Sequence, residues 1–259
     1  MRTWTRLAAL AALAASAALV SARGQPLLHV LVITGGHGFD REPFFQMFRD
    51  DAGIVFTHAE HAGAEATAWE RTDLFTNDVA VLYDMPKSIT AAQKSRFLSF
   101  LGQGKGLVVL HHALVACQDW PDYERIIGGR YPEPDPAKPG LVTDRVGYAH
   151  DVDVPVIVVA GGHPVTAGLG AFVIRDEIYW GFRVAQDVTP LLSTTHPKSG
   201  KPLAWARLDG RSRVVVIQPG HGAPAFADPN YRRLVAQAIR WVAGRSSGGP
   251  IEGKPTGFD

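Results

Sequence analysis

Four histidines follow apolar segments whose length and content of Val, Ile and Leu predict buried β-strands. The segments and their histidines are residues 28–33 with His37, residues 106–110 with His111 and His112, and residues 213–218 with His221. Because ligands bind at the carboxyl ends of strands in a parallel sheet, we expect these imidazoles to meet in one site. Together with a carboxylate they could bind one divalent metal ion, or serve as general acid and base near neutral pH. The alternative is that each ring satisfies a buried backbone group or packs in a loop.

Acidic residues beside aromatic residues are candidates for the carboxylate and for sugar contacts. Asp176 and Glu177 precede Tyr179, and a similar mixture surrounds Trp120 and Tyr123. Carboxylates can hydrogen-bond to sugar hydroxyl groups, and aromatic rings can stack on a sugar. The alternatives are a solvated loop edge for the acidic pair and a core position for Trp120.

The other histidines lie in less informative surroundings. His163 lies in a turn before a proline and remains a candidate contact. Four more lack comparable context and are predicted at the surface, namely His58, His61, His150 and His196.

Several common signatures are absent from the sequence. There is no H-E-x-x-H zinc helix, and the turn at residues 35–38 lacks the G-x-G-x-x-G spacing. Since no Walker pattern occurs either, we expect no nucleotide cofactor. The single cysteine, Cys117, excludes an internal disulfide and is predicted to be a small buried residue rather than a nucleophile.

Strands and helices alternate along the chain, which predicts a parallel sheet with helices on its faces. Further strands are predicted at residues 54–56, 79–83, 154–160, 172–174, 190–193 and 203–206. Helices are predicted after Asp40, after Thr90 with Gln93 at capping-box spacing, and after Asp228. A loop is predicted among the prolines at residues 132–139.

The two ends of the chain differ in composition from its middle. Residues 1–23 combine arginines, a run of mainly Ala and Leu, and small residues near the end of that run, which predicts a signal peptide. The expected location is therefore periplasmic or secreted, with no transmembrane segment after cleavage; an uncleaved N-terminal anchor is the alternative. Residues 24–244 are predicted to form one domain, and residues 245–259 a disordered tail.

The charge of the chain argues against nucleic acid as a partner. Loss of residues 1–23 removes Arg2, Arg6 and Arg23 and changes the formal net charge from +1 to −2. A near-neutral surface lacks the basic patch that nucleic-acid binding requires.

Further motifs occur in order along the chain: residues 106–113, Trp120, Tyr123, residues 127–129, His163-Pro164, residues 176–179, Trp205, residues 210–213 and Gly220-His221. Together they resemble the ThuA-like (trehalose utilisation) family, over about residues 28–243. The resemblance implies an α/β fold, a flavodoxin-like three-layer sandwich with a mainly parallel central sheet, similar to the class I glutamine amidotransferases.

That superfamily carries a nucleophilic cysteine at the sharp turn after the strand that matches residues 106–110. Here the turn carries His111, His112 and Ala113, and Cys117 follows several residues later. We therefore do not expect a cysteine amidotransferase or cysteine hydrolase, although the fold is similar.

The family name implies a carbohydrate context, and members resemble proteins that act on oxidised sugars such as 3-keto glycosides. The resemblance implies a small carbohydrate or glycoside as partner, and a lyase, hydrolase or isomerase reaction that begins with proton abstraction beside a ketone. The expected catalytic residues are His37, His112, His221 and Glu177, with Glu177 as acid or sugar contact. The expected ligands of the metal ion are His111, His112 and His221. The expected substrate contacts are Trp120, Tyr123, His163, Asp176 and Tyr179.

A non-catalytic carbohydrate-binding module is the alternative function, and a scaffold for a partner protein is a third. An enzyme predicts titratable groups in one pocket, whereas a binding module predicts aromatic pocket walls and histidines with ordinary pKa values. A scaffold predicts an exposed apolar patch. If His37, His112 and His221 lay more than about 10 Å apart, they could not share a reacting centre.

Overall fold

A nine-stranded sheet forms the centre of the computed structural model, which describes residues 26–133 and 146–245. In chain order the strands are β1 (Leu28–Gly35), β2 (Ile54–Glu60), β3 (Val79–Asp84), β4 (Gly106–Leu110), β5 (Gly129–Arg130), β6 (Gly147–Val158), β7 (Phe172–Trp180), β8 (Arg183–Val184), β9 (Thr189–Thr194), β10 (Ala204–Asp209) and β11 (Ser212–Ile217). The helices are α1 (Arg41–Arg49), α2 (Ala91–Gly102), α3 (Pro121–Ile127), α4 (Ala223–Ala227) and α5 (Pro229–Val242). Short 3-10 helices lie at Thr67–Glu70, Leu74–Thr76, His111–Val115 and Pro164–Thr166. Strands β5 and β8 pair with each other in a separate two-stranded sheet.

Alternate side chains of the central strands pack on opposite faces of the sheet, because successive residues of a strand point to opposite sides. In β1, Val30 and Val32 join a core that includes side chains of α1, α4 and α5. Leu31 and Ile33 join a second core, with side chains of α2 and α3. Helices therefore cover both faces of the sheet, which confirms the predicted α/β three-layer sandwich.

The strand order of the main sheet is β2-β1-β3-β4-β11-β10-β9-β6-β7. The first five strands pair in parallel, and the last four are added antiparallel. Between β10 and β11 the connection is a tight turn, which permits antiparallel pairing, whereas parallel neighbours need a long crossover. Only β6 and β10 run opposite to the other seven strands. The carboxyl ends of β1, β4, β7 and β11 therefore point in the same direction.

The hairpin of β6 and β7 extends beyond the rest of the sheet. Strand β6 pairs with β9 only through residues 156–158, but with β7 over residues 147–156. The far half of this hairpin reaches the loop after β11, because Asp176 on β7 accepts the backbone N–H groups of Gly220 and His221 at 2.5 and 2.8 Å. A strand at one edge of the sheet thereby contacts the loop of a central strand.

Strand β7 is longer than the sequence predicted. It continues past the predicted residues 172–174 to Trp180 and includes Asp176 and Glu177, which are both buried. The loop-edge interpretation of this acidic pair is therefore wrong. The pattern of apolar residues could not predict this continuation, because two of the buried positions of the strand carry carboxylates instead of apolar side chains.

Two helix starts agree with the prediction and one differs. Thr90 and Gln93 form a complete capping box at the start of α2. Asp228 caps α5 by accepting the N–H groups of the second and third helical residues. Asp40 precedes α1 but makes no capping hydrogen bond to it; its carboxylate accepts the N–H of Ala223 at 2.8 Å. Asp40 thus joins the starts of α1 and α4 instead.

Several predictions concern parts of the chain outside the described residues. They are the signal peptide (residues 1–23), most of the loop at residues 132–139, and all but the first residue of the tail (residues 245–259). Within residues 26–133 and 146–245, none of the helices combines the length and the apolar character that crossing a bilayer requires.

Replacement of Asp228 tests the cap of α5. We expect Asp228→Ala to lower the free energy of unfolding by about 1 kcal/mol, because two N–H groups lose their acceptor. Asp228→Asn keeps an acceptor oxygen and should cost much less. Urea unfolding followed by circular dichroism measures both variants, and equal losses would show that the cap is not the cause.

Candidate active site at the carboxyl edge of the sheet

His111 occupies the turn directly after β4. Its φ of 46° lies in the left-handed region, which costs a residue other than glycine about 1–2 kcal/mol. Hydrogen bonds hold its ring, since Nδ1 lies 2.8 Å from the carbonyl oxygen of Gln218 and Nε2 lies 2.8 Å from Oε2 of Glu177. Backbone strain of this kind persists where the surroundings hold it in place, and it is common at functional sites.

Glu177 is shared by two imidazoles. Its Oε2 lies 2.8 Å from Nε2 of His111 and 2.8 Å from Nδ1 of His221, and the two nitrogens are 3.1 Å apart. Burial alone would raise the pKa of Glu177, but hydrogen bonds from His111 and His221 outweigh it and lower the pKa well below its usual range. An ionised carboxylate is suited to accept hydrogen bonds or to bind a cation, rather than to act as the general acid expected from the sequence.

His221 lies on a loop whose backbone is fixed from two sides. Asp176 accepts the N–H groups of Gly220 and His221, while the hydroxyl group of Tyr83 donates to the carbonyl oxygen of Gly220 at 2.9 Å. Gly220 has a φ of 120°, and a Cβ atom there would lie 2.0 Å from the hydroxyl oxygen of Tyr231. Glycine is therefore required at this position. The hydrogen bond with Glu177 raises the pKa of His221.

Asp176 holds backbone rather than substrate. Its side chain is buried, and both carboxylate oxygens are engaged by the N–H groups of the loop after β11. Burial raises its pKa, against the opposing effects of His111 and the two N–H groups. In this structure, neither carboxylate oxygen of Asp176 is therefore free to make the substrate contact that the sequence predicted.

His37 and His112 form a second pair beside the first. Their ring centroids are 4.6 Å apart, and His37 lies 6.1 Å from the ring of His221. His112 is buried, and within the described part of the chain neither ring nitrogen makes a hydrogen bond of good geometry; the backbone of Tyr83 provides a polar contact. Burial lowers the pKa of His37 and holds that of His112 well below its ordinary value. Both rings therefore favour the neutral form.

These distances bring the four histidines of the strand ends together. His111 lies 5.6 Å from His112 and 5.1 Å from His221, measured between ring centroids. The ring of His37 lies 4.6 Å from that of His112 and 6.1 Å from that of His221, and both distances are well inside the limit of about 10 Å for a shared reacting centre.

Tyr179 contacts the ring of His111 through both its hydroxyl group and its own ring. Its hydroxyl group lies 3.0 Å from Nε2 of His111, and its ring stacks on that of His111 with centroids 4.8 Å apart. The side chain is buried, so the tyrosine contacts an imidazole instead of presenting a free face to a sugar.

His150 and Tyr148 belong to the site but were not predicted. Nδ1 of His150 lies 3.7 Å from Oε1 of Glu177, and its ring lies 4.7 Å from that of His221. Tyr148 lies 5.2 Å from His150 and is 57% exposed. The spacing of two residues along β6 places both side chains on one face. This alternation was the only feature of the sequence that related the two residues to each other. It does not reveal that their side chains face the loop that carries His221.

Three predicted contacts lie elsewhere in the molecule. Trp120 is buried and packs edge-on against Phe97 in the core beside α2 and α3. Tyr123 is buried in the same core and donates its hydroxyl hydrogen to the carbonyl oxygen of Ala113. His163 starts the 3-10 helix Pro164–Thr166, where its Nδ1 accepts an N–H. The structure thus places these three side chains in the core or in a turn instead of in the histidine cluster.

His61 departs from its predicted surface position, whereas Cys117 is buried as predicted. His61 is buried rather than exposed, and its Nε2 lies 2.6 Å from Oδ2 of the buried Asp84. Its Nδ1 accepts the N–H of Ala68, so Nε2 is the protonated nitrogen of the neutral ring. Cys117 is buried, and burial raises the pKa of its thiol, as befits a small packing residue.

One group of possible metal-binding residues occurs among the residues that the structure describes. It consists of His111, Glu177 and His221, whose donor atoms all lie within 4.8 Å of one another. The predicted set differed, because it contained His112 in place of Glu177. The reason is geometric: successive side chains at the turn diverge, so His111 and His112 face different neighbours.

The family of the chain follows from a comparison of its sequence with known families. Residues 29–242 match the ThuA family, which is described by trehalose utilisation. Since the match spans most of the chain, the protein belongs to this family. A search of the curated proteins finds no match to the sequence.

Solved structures show the same fold. A ThuA-like protein of Parabacteroides merdae ATCC 43184 is 18% identical, with a TM-score of 0.72, over 89% of this chain and 95% of that one. A ThuA-like protein of Bacteroides uniformis ATCC 8492 is 21% identical, with a TM-score of 0.61, over 91% of this chain and 97% of that one. A β-galactosidase of Rahnella sp. R3 is 14% identical, with a TM-score of 0.54, over 84% of this chain but 32% of that one. At such identities the likeness concerns the fold alone.

His163 generates a prediction about stability and pH. Burial lowers its pKa to about 4, below the value of about 6.5 in an unfolded chain. The folded state therefore favours the neutral ring; this stability is fully present above pH 6.5 and is lost as the pH falls toward 4. When the pH is lowered from about 7.5 to about 5, the free energy of unfolding should decrease in the wild type. We expect this decrease to be about 1–2 kcal/mol smaller in His163→Asn, which lacks the titrating ring.

Urea unfolding of both proteins at the two pH values measures this difference. Asn retains an oxygen that can accept the N–H of Val165, which His163 accepts in the native protein, so the cap is preserved. Identical losses in the two proteins would show that His163 does not titrate between folded and unfolded states.

Proposed function

We propose that the protein is an enzyme acting on carbohydrate, a lyase, hydrolase or isomerase of oxidised sugars or glycosides, whose reaction depends on the imidazoles at the carboxyl edge of the sheet. The observation that carries this proposal is the convergence of the four strand-end histidines on one site, in which two of them share the buried carboxylate of Glu177. Titratable groups that are gathered in one place, with pKa values shifted by burial and by their neighbours, are typical of a catalytic site.

His37 is the best candidate for the base. Its Nδ1 lies 2.6 Å from the carbonyl oxygen of Gly38, so Nδ1 carries the hydrogen and Nε2 of the neutral ring keeps its lone pair. The residue is exposed, whereas its neighbour His112 is buried. A neutral imidazole that a substrate can reach suits proton abstraction near neutral pH.

The proposed reaction begins at a carbon beside a ketone. The base takes the proton, the electron pair of the C–H bond moves toward the carbonyl, and an enediolate forms. In a lyase, the electron pair then expels the oxygen substituent on the next carbon, which takes up a proton and leaves a conjugated enone. Addition of water to that enone completes a hydrolysis, and return of the proton to a different position completes an isomerisation.

Two observations support a carbohydrate as the substrate. The family is described by trehalose utilisation, which suggests a sugar without specifying a reaction. In the structure, Tyr148 exposes its ring next to His150, which in turn contacts His221. An exposed aromatic ring beside polar side chains is suited to stack on the apolar face of a sugar.

A non-catalytic carbohydrate-binding module is the second candidate. The exposed ring of Tyr148 favours it, since stacking alone can hold a sugar. The lowered pKa values of His37 and His112 favour the enzyme, because a binding module needs no perturbed imidazole. We also propose that the protein acts outside the cytoplasm, which the composition of residues 1–23 supports.

Deuterium exchange tests the catalytic proposal directly. Purified protein is incubated with a 3-keto glucoside in D₂O, and NMR follows both exchange of the hydrogen beside the carbonyl and the appearance of product. We expect His37→Asn and His112→Asn to lower the exchange rate by about 10²–10⁴-fold. His163→Asn should leave the rate unchanged, because it makes the same chemical change outside the cluster.

Three outcomes are informative. Exchange that depends on His37 and His112 supports the enzyme. Saturable binding of the sugar without exchange or product would favour the binding module. Loss of exchange in His163→Asn to the same extent would show that the variants act through folding instead of through the site.

A further inference from the structure

We propose that His111, Glu177 and His221 form a binding site for one divalent transition-metal ion, with Nε2 of His111, Oε2 of Glu177 and Nδ1 of His221 as ligands. The binding site itself stands without the proposed function, whereas the role of the ion in catalysis rests on it. The expected ligand set therefore contains a carboxylate in place of His112.

The tautomer of His111 is the first argument. Its Nδ1 lies 2.8 Å from the carbonyl oxygen of Gln218, which can only accept, so Nδ1 carries the hydrogen. Nε2 is thereby directed at Oε2 of Glu177, 2.8 Å away, with the hydroxyl oxygen of Tyr179 at 3.0 Å. A metal ion can take the place of a proton between this nitrogen and the carboxylate oxygen, because metal ligands bind in their deprotonated form.

The position of His221 supplies the third ligand. Its Nδ1 lies 2.8 Å from the same carboxylate oxygen and 3.1 Å from Nε2 of His111. The donor atoms of the three side chains therefore converge, and a single divalent ion can bond to all three at once.

The distances fit with small movements. Zinc bonds of about 2.0–2.2 Å in tetrahedral geometry place ligand atoms about 3.3–3.5 Å apart. The three separations in the structure are 2.8, 2.8 and 3.1 Å, so each ligand must withdraw by only a few tenths of an ångström. The side chain of His221 is 31% exposed, which leaves room for this movement.

The surroundings hold the ligands in the way that metal sites require. The carbonyl oxygen of Gln218 orients the ring of His111, as the second nitrogen of a metal-bound histidine normally has a partner. Asp176 fixes the backbone of His221 through two N–H groups. Glu177 is buried, and its other oxygen, Oε1, lies 3.7 Å from Nδ1 of His150.

Three protein ligands leave an open coordination position, which is typical of a catalytic metal site. The ring of His112 lies 5.6 Å from that of His111 and 4.6 Å from that of His37, so the proposed catalytic imidazoles lie beside the metal ligands. Two imidazoles and one carboxylate suit Zn²⁺ or a similar transition metal better than Mg²⁺, which prefers oxygen ligands. The open position suits an oxygen ligand such as a carbonyl or a hydroxyl group beside it.

Titration with Zn²⁺ alone tests the site. The full chain is stripped with a chelator, and bound metal is measured by elemental analysis after dialysis and by isothermal titration calorimetry. We expect one equivalent in the wild type, and affinity at least about 10-fold weaker in Glu177→Gln and in His221→Gln, since even partners of ligands contribute 10–100-fold. His112→Asn should bind Zn²⁺ like the wild type, and His163→Asn provides a control outside the cluster.

The thermal midpoint gives a second measurement of the same site. Bound Zn²⁺ should raise the Tm of the wild type and of His112→Asn but not that of Glu177→Gln, because a ligand of the native state stabilises it by mass action. If Glu177→Gln fails to fold, His221→Gln still tests the site, because His221 is partly exposed and its loop is held by backbone contacts.

The outcomes separate the two proposals. Absence of stoichiometric Zn²⁺ in the folded wild type would overturn the metal site. Equal weakening in His112→Asn and Glu177→Gln would overturn this ligand set. Stoichiometric Zn²⁺ that depends on Glu177 and His221, together with no deuterium exchange in any keto sugar, would leave the metal site standing and count against the proposed reaction.

Discussion

One buried carboxylate oxygen, Oε2 of Glu177, determines the arrangement of the carboxyl edge. A buried negative charge is costly unless it is paired, and here two imidazoles meet it at 2.8 Å. Several other features serve this contact: the left-handed backbone of His111, the glycine at position 220, and the carboxylate of Asp176 that holds the loop. The strain and burial at this edge are therefore parts of a single electrostatic arrangement.

The contact depends on the topology of the sheet. Strand β7 lies at one edge, four strands from β11, yet it carries Glu177 to the loop after β11. This is possible because β7 points in the same direction as β4 and β11, and because the far half of the β6–β7 hairpin leaves the sheet and pairs only with itself. The antiparallel half of the sheet thus completes a site that the parallel half begins.

The turn after β4 carries an imidazole. The resemblance seen in the sequence implies a nucleophilic cysteine at this turn in the class I glutamine amidotransferases, whereas here the position carries His111 with its strained backbone. The ring of His111 meets a carboxylate and a second imidazole. Cys117 is buried away from this turn, so the fold does not carry the cysteine chemistry with it.

The sequence by itself determined the main strands and helices and the position of the strand-end histidines. Continuous apolar segments predict strands buried on both faces, Thr90 and Asp228 predict helix starts, and a histidine after a buried strand predicts a position at the carboxyl edge. Only the tertiary structure decided that Glu177 lies between His111 and His221, that His150 joins the site, and that Trp120 lies in the core. The physical reason is that periodicity reports which face of one element is buried, whereas these contacts depend on strand direction and on the hairpin that extends past the sheet, which are set by pairing between distant segments.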